Sequence, residues 1–191
     1  MSLLEVVAVI FSAVGIWLAT RRLLISWPVT LVACGLYAAV FHREKLYSDM
    51  LLQFVFAAFT LYGWWHWSLG MRKDGEVRVE PLSLRGIAGG IAAGAAGSLL
   101  LGYLMAHYTD AAIPHIDSAL TSYSLVATTW AARKHIANWW LWIVVDTIYT
   151  GVFAYKHLYL TSALYLFFVF LALLGLRDWQ KAFREQQVFA P

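Results

Sequence analysis

The chain has 191 residues, of which 61% are hydrophobic and 13% are charged, and its formal net charge at pH 7 is +3. Soluble domains carry about 25% charged residues and about 45–50% apolar residues, so this composition excludes a water-soluble globular protein. An aromatic content of 16% excludes a disordered chain, and a single cysteine, Cys34, excludes a disulfide framework. The sequence therefore predicts an all-α integral membrane protein.

Seven apolar runs follow one another along the chain, each close to the roughly 20 residues that an α-helix needs to cross a bilayer. They cover 6–20, 23–42, 50–71, 86–109, 118–132, 138–155 and 157–176. Glu5 stands where a secretory signal peptide would carry basic residues, so the first run is interpreted as a membrane helix. Asp146 is the only Asp, Glu, Lys or Arg inside any of these runs. We therefore expect seven transmembrane helices.

The lysines and arginines are divided unequally between the two ends of these spans. Arg43, Lys45 and Lys156 fall on one side, and the remaining eleven of the 14 fall on the other. Because the side richer in basic residues is usually cytoplasmic, we expect a periplasmic N-terminus and a cytoplasmic C-terminus. This asymmetry also accounts for the net positive charge, so the charge indicates a lipid bilayer as partner and no nucleic acid.

The chain contains an internal repeat. Residues 5–67 align without a gap with residues 117–179, and 16 of these 63 pairs are identical. The identical pairs include Trp27 with Trp139, Tyr37 with Tyr149, Phe41 with Phe153, Gly63 with Gly175 and Trp67 with Trp179. Three helices, one linker helix and three further helices form a parallel repeat of a kind found in transporters. We expect a first repeat in 1–69, a cytoplasmic loop and linker helix in 70–110, and a second repeat with a short cytoplasmic tail in 111–191.

The linker helix is rich in glycine. Gly86, Gly90 and Gly94 recur every four residues and therefore share one face of the helix. Small residues on one face let a neighbouring helix approach closely. Helix packing is the simplest interpretation of this face.

Polar and aromatic residues recur at helical spacing in four of the runs, which places them on single helix faces. The candidate site residues are Trp139, Trp142, Asp146 and Tyr149 in the sixth run, Thr121, Ser124 and Thr128 in the fifth, Tyr165 in the seventh, Gln53 in the third and, by its alignment with Asp146, Cys34 in the second. Structural alternatives stay open for several of them. The hydroxyls could bond to their own helix, Trp139 could belong to an interfacial belt, and Gln53 or Asp146 could hold a hydrogen bond between helices.

An aromatic-lined pocket with one carboxylate suits a flat organic cation, because cation–π contacts and the opposite charge both favour it. The hydroxyls of the fifth run could bind a sugar. The sequence has no catalytic, phosphate-binding or zinc motif. His107, Asp110, His115 and Asp117 cluster near one loop, where an ordinary solvated loop is the simplest interpretation. We therefore expect no catalytic residue, metal or cofactor, although an intramembrane enzyme that uses Asp146 stays a remote alternative.

The sequence resembles the PnuC family of vitamin transporters. The resemblance rests on Trp27-Pro28, Leu52-Gln53 and the segment 62–67 (YGWWHW) in the first repeat, and on Trp139-x-x-Trp142-x-x-x-Asp146 in the second. It implies a full-length SWEET-like fold and import of nicotinamide riboside, a precursor of NAD, across the bacterial inner membrane. It also implies facilitated diffusion, trapping by a cytoplasmic kinase without required direct contact, and a homotrimer. Trp139, Trp142, Asp146 and Gln53 match the family's substrate motifs.

The chemistry of the ligands leaves a choice of vitamin. Nicotinamide riboside carries a cationic pyridinium and a ribose, which fit the aromatic groups, the carboxylate and the hydroxyls. Thiamine also carries a cationic ring, so it stays an alternative within the family. Riboflavin is larger and neutral, and a carboxylate inside the membrane argues mildly against it.

Overall fold

The computed structural model describes residues 3–43, 47–69, 77–108 and 113–188. Within these ranges the chain forms seven α-helices, which are α1 (Leu3–Thr20), α2 (Ser26–Arg43), α3 (Tyr47–Leu69), α4 (Leu84–Tyr108), α5 (Pro114–Ala132), α6 (Ala137–Tyr155) and α7 (Tyr159–Val188). The described part of the chain contains no β-strand, only one isolated bridge between Glu80 and His135. Each predicted run corresponds to one helix, and the predicted all-α fold of seven helices is confirmed.

The helices differ in how apolar they are. By length and composition alone, α1, α4 and α7 are long and apolar enough to cross a membrane. In the other four, residues such as Gln53 in α3 and Asp146 in α6 lower the mean hydropathy. Three basic residues used for the predicted orientation, Lys45, Arg72 and Lys73, lie outside the described residues.

Helix α7 runs beyond the predicted span, which ends at residue 176, as far as Val188. In this extension Trp179 and Ala182 are buried, whereas Lys181 and Glu185 are exposed. Buried residues three apart on one face, with exposed charged residues on another, are typical of an amphipathic helix. The extension is therefore held by its packing rather than by an apolar membrane segment.

Three helices end in the same hydrogen-bonded turn. After α1, α5 and α6 the chain passes through Arg22, Lys134 and His157, whose φ angles are 58°, 64° and 59°. The N–H of the next residue then donates to a carbonyl five residues earlier, as Leu23 does to Leu18 at 3.2 Å. This is the Schellman arrangement, which usually places glycine at the left-handed position.

The turns after α1 and α5 reproduce the sequence repeat in three dimensions. Arg22 and Lys134 are 112 residues apart, which is the offset of the alignment. His135 N–H donates to the Trp130 carbonyl at 2.9 Å, the equivalent of the bond between Leu23 and Leu18. The two repeats therefore share local geometry as well as residue identities.

The chain divides into two compact units that do not follow chain order. The first contains residues 1–79, 132–134 and 174–191, and the second contains 80–131 and 135–173. The linker helix α4 thus belongs to the second unit, and the end of α7 belongs to the first. The three segments expected from the sequence, 1–69, 70–110 and 111–191, describe the repeat and stay a prediction, and residues 70, 110 and 111 lie outside the described residues.

The first unit is built around tryptophans. α2 packs against both α1 and α3. Trp27 meets Trp67 edge to face with ring centroids 5.3 Å apart, and a Cβ at Gly63 would collide with the Trp27 ring. Trp67 also contacts Trp179, 5.9 Å away, and the indole N–H of Trp179 donates to the Ala19 carbonyl at 3.0 Å. These contacts join α1, α2, α3 and the end of α7 into one core.

In the second unit, α4 and α5 pack through the predicted glycine face. A Cβ at Gly90 would collide with the Trp130 ring, and a Cβ at Gly94 would collide with the Tyr123 ring. Ser122 Oγ donates to the Gly94 carbonyl at 2.9 Å, which also requires a close approach of the two helices. The packing interpretation of Gly90 and Gly94 is confirmed.

Candidate functional site

The candidate site centres on one face of α6. Trp139 and Asp146 are buried there, with only 4% and 6% of their surfaces exposed, while Trp142 and Tyr149 are half-buried. Their spacing of three, four and three residues returns each side chain to the same side of the helix. Because Trp139 is buried, the structure favours a role inside the protein over the alternative of a lipid-exposed interfacial belt.

The start of α6 is fixed by the polar residue before Trp139. Asn138 is 1% exposed, and its side-chain amide donates to the His135 carbonyl at 2.7 Å. The N–H of Ile136 donates to the Glu80 carbonyl at 3.0 Å, which ties the turn before α6 to the segment before α4. These bonds set the rotation of α6 about its axis and thereby the direction in which its aromatic face points.

The carboxylate of Asp146 is the most costly group on this face. Among the residues that the structure describes, none forms an ion pair or a hydrogen bond with it. No Tyr or Thr in the described part of the chain therefore forms the structural hydrogen bond to the Asp146 carboxylate that was the alternative interpretation. An ionised carboxylate that is buried without a partner costs several kcal/mol, so a cationic ligand beside Asp146 would recover part of that cost.

An aromatic cluster joins α6 to α7 one turn beyond Asp146. The Tyr149 and Tyr165 rings lie 4.7 Å apart, and Phe153 lies 5.8 Å from Tyr149 and 5.1 Å from Tyr165. Ser162 Oγ donates to the Thr150 carbonyl at 2.9 Å and holds the two helices together at this level. The structure thus brings together Tyr149 and Tyr165, which the sequence placed in separate runs.

The hydroxyl face of α5 is largely bonded to its own backbone. Ser124 Oγ donates to the Leu120 carbonyl and Thr128 Oγ1 to the Ser124 carbonyl, both at 2.8 Å. This is the backbone alternative that the sequence left open. Their hydroxyl protons are committed, so these two groups can only accept hydrogen bonds from a ligand, whereas Thr121 is half-buried with its hydroxyl in no such bond.

Two candidate residues lie in the first unit. Cys34 is buried in α2, and its thiol interacts with the hydroxyl of Thr60 on α3. Thr60 in turn donates to the Phe56 carbonyl at 2.8 Å. Gln53 lies on α3 and is half-buried. The remaining eight candidates all belong to the second unit.

Sequence reasoning missed four buried polar residues in the second unit, of which Ser122 and Ser162 form the helix-to-helix hydrogen bonds given above and the other two are Asn138 and Ser118. Asn138 is described above, and Ser118 in α5 is 3% exposed, with a hydroxyl that has no hydrogen-bond partner in the described part of the chain. The repeat held a signal for the first. Asn138 aligns with Ser26, which is also buried, so both repeats place a polar residue directly before the buried tryptophan. Ser118 lies three residues before Thr121 and extends the hydroxyl face.

The loop cluster near α4 and α5 offers no metal site in the described residues. No three His, Cys, Asp or Glu side chains among the described residues lie close enough together to hold a metal ion. The His107 ring bonds to the Tyr103 carbonyl at 2.9 Å, and the His115 ring packs where a Cβ at Gly102 would lie. The other two members of the predicted cluster are Asp110 and Asp117, and Asp110 lies outside the described residues.

Comparison with known proteins gives the family. A family model described as "Nicotinamide mononucleotide transporter" matches residues 2–181. The nicotinamide riboside transporter PnuC of Escherichia coli (strain K12) is 26% identical over an alignment of 211 residues. The alignment covers 97% of this chain and 88% of that protein. The riboflavin/roseoflavin transporter RibM of Streptomyces davaonensis is 28% identical over 178 residues, covering 92% of this chain and 83% of that protein.

A solved structure supports the fold. The crystal structure of the vitamin B3 transporter PnuC superposes with a TM-score of 0.77 at 22% identity and covers 95% of this chain and 82% of that one. The similarity spans all seven helices, and it confirms a multi-pass membrane fold. The matched family and this solved relative are transporters, which agrees with the expectation that the chain is not an enzyme. The chain therefore belongs to the PnuC family of vitamin transporters.

Proposed function

We propose that this chain imports nicotinamide riboside across a bacterial inner membrane by facilitated diffusion. The observation that carries the proposal is the buried Asp146 carboxylate, which no described residue neutralises, on a helix face shared with Trp139 and Trp142. The name of the Escherichia coli relative supports the choice of ligand.

Each part of nicotinamide riboside meets a suitable group. The pyridinium ring is flat and positively charged, so it stacks on an indole and is attracted by Asp146. The ribose hydroxyls can donate to the oxygens of Ser124 and Thr128, whose own protons are already used within α5. The ligand thus supplies the cation and the donors that this part of the protein lacks.

A second candidate is riboflavin, because one relative is a riboflavin/roseoflavin transporter at 28% identity. Its ring system is neutral and would leave the Asp146 carboxylate without a counter-charge, which favours the pyridinium ligand. Thiamine carries a cationic ring and satisfies the same charge argument. Within the proposal it ranks behind nicotinamide riboside because it has no ribose for the α5 oxygens.

The remaining features of the transport cycle are part of the same proposal. The sequence has no phosphate-binding glycine loop that would couple transport to nucleotide hydrolysis, which supports passive uptake followed by phosphorylation of the vitamin by a cytoplasmic kinase. The unequal distribution of basic residues supports a periplasmic N-terminus and a cytoplasmic C-terminus. Family resemblance supports the SWEET-like arrangement and a homotrimer.

A binding titration with three vitamins tests the ligand. The ten tryptophans of the chain make fluorescence quenching a direct readout. We expect nicotinamide riboside to quench at the lowest concentration, thiamine at a higher one and riboflavin at the highest. Liposomes that contain the protein should equilibrate the vitamin without concentrating it. Tighter binding of riboflavin, or accumulation above the outside concentration with no gradient and no kinase present, would contradict the proposal.

A further inference from the structure

An open cleft with a volume of about 240 Å³ lies in the first unit, where the end of α1 meets the extension of α7. We call it the interfacial cleft, and it is lined by Thr20, Arg21, Arg22, Asp178, Lys181, Ala182 and Glu185. Its walls are fixed in place, because the indole N–H of Trp179 donates to the Ala19 carbonyl at 3.0 Å. The cleft takes no part in the vitamin site described above.

Three of the lining residues are basic and two are acidic, and the basic groups are only weakly neutralised. Lys181 Nζ lies 3.9 Å from a Glu185 carboxylate oxygen, and both side chains are mostly exposed. Arg22 Nη1 donates to the backbone carbonyl of Asp178 at 3.4 Å. In the described ranges neither Arg21 nor Arg22 forms an ion pair with a carboxylate. Two guanidinium groups therefore keep most of their donors available.

The cleft stands at the end of an exposed apolar strip on α1. The exposed apolar residues of α1 recur on one face, at Val6, Ile10, Val14 and Trp17. Arg21 follows Trp17 by one turn on that face, and its guanidinium carbon lies 5.9 Å from the centre of the indole ring. Tryptophan with a basic residue beside it is typical of the level where hydrocarbon gives way to headgroups. An acyl chain that follows this strip would bring its headgroup to Arg21.

We propose that the interfacial cleft binds the phosphodiester group of an anionic phospholipid through Arg21, Arg22 and Lys181. Arginine forks match phosphate oxygens with paired hydrogen bonds, and basic pockets between membrane helices are a known setting for anionic headgroups. The apolar strip on α1 supplies the surface for the acyl chain. Phospholipid, rather than a soluble phosphate, is the occupant that uses both features.

The charges of the cleft favour a phosphodiester over a phosphate monoester. Three basic and two acidic side chains leave a formal charge of one positive unit. A phosphodiester carries one negative charge and neutralises the cleft. A monoester carries nearly two at pH 7 and would leave the cleft negative, with Asp178 and Glu185 repelling it. The two carboxylates thus act as selectivity elements.

Native mass spectrometry of the purified full-length protein tests this site. The protein is mixed with phosphatidylglycerol and phosphatidylcholine in equal amounts, and the retained lipid is counted. The test variant is the double substitution Arg21→Gln and Lys181→Gln. The matched control is Arg177→Gln with Arg184→Gln, which removes two positive charges from α7 outside the cleft.

We expect phosphatidylglycerol to be retained in preference to phosphatidylcholine, and the test variant to weaken this retention by about tenfold or more. The control should keep it, and inorganic phosphate at millimolar concentration should not displace the lipid. Equal retention by both double variants, or displacement by inorganic phosphate, would overturn the proposal. If the double variant does not fold, Arg21→Lys keeps the charge but loses the fork, and an unchanged preference in that variant would also count against the site.

Discussion

The two three-helix repeats share their scaffold and differ in what stands at the centre of their second helices. Trp27 in α2 and Trp139 in α6 are both buried, and the turns before these helices have the same hydrogen bonds. Seven residues further along, the first repeat has the neutral Cys34 and the second has Asp146. The two repeats thus have the same local backbone arrangement, but only the second carries a charged group at this position. We therefore expect the second repeat to select the ligand.

The largest effect should come from removing that charge. Asp146→Asn keeps the shape of the side chain and its hydrogen-bonding capacity but removes the partner of a cationic ring. Interactions with a charged group contribute about 1.5–3 kcal/mol, so the Kd for nicotinamide riboside should rise at least about tenfold. Nicotinic acid riboside, which is a zwitterion without net charge, should lose much less affinity in the same titration.

The matched control for this substitution is its counterpart in the first repeat. Cys34 is itself a candidate site residue, but Cys34→Ser changes no charge, so it should alter the affinity for either ligand much less than Asp146→Asn alters that for nicotinamide riboside. If Asp146→Asn weakened both ligands equally and by little, and changed only the thermal unfolding temperature, Asp146 would be a structural residue. The contrast between the repeats would then concern stability rather than recognition.

A packing change in the first repeat should lower the stability of the protein rather than its affinity for the ligand, and by a similar free energy. A methyl group at Gly63 would collide with the Trp27 ring, so Gly63→Ala should destabilise the protein by about 1–3 kcal/mol, the usual range for overpacking. Gly35→Ala is the control, because open space surrounds that glycine in α2 and alanine favours a helix. Thermal unfolding in detergent should show a lower Tm for the first variant only, and identical Tm values would refute this packing account.

The smallest of the three effects concerns an aromatic residue that the first repeat lacks. Trp142 aligns with Thr30, and Trp142→Ala should remove a stacking surface for the ligand. We expect a loss of about 1–2 kcal/mol, or about five- to thirty-fold in Kd. Trp140→Ala is the control on the same helix, since that side chain is 57% exposed on another face. Equal losses in both variants would remove Trp142 from the site.

Most of the fold could be predicted because charge is so costly inside a bilayer. Runs that contain no Asp, Glu, Lys or Arg, apart from Asp146 in the sixth, marked the seven helices, and the glycine spacing of α4 identified its packing face. The extension of α7 beyond residue 176 was missed for the same reason. A search for apolar runs stops at Arg177, whereas the helix continues because Trp179 and Ala182 are buried.

The candidate site could be predicted less completely, because spacing gives the face of a helix but not the partner of a side chain. The α5 hydroxyls share a face as expected, yet whether Ser124 donates to its own backbone depends on a rotamer that the sequence does not reveal. Asn138 was missed because one polar residue at a helix start resembles an ordinary cap. Its burial depends on the turn before α6, where the N–H of Ile136 bonds to the Glu80 carbonyl of a segment that is distant in sequence.

The contact of Trp179 with Trp67 and Ala19 has a consequence for the order of assembly during translation. Chains emerge from the ribosome N-terminus first, and the early domains of most proteins can close while later ones are still being made. Here the core of the first unit waits for a tryptophan synthesised 112 residues after Trp67. Contacts among the first three helices, such as that of Trp27 with Trp67, need nothing from α7, but this core is complete only once the last helix has been made.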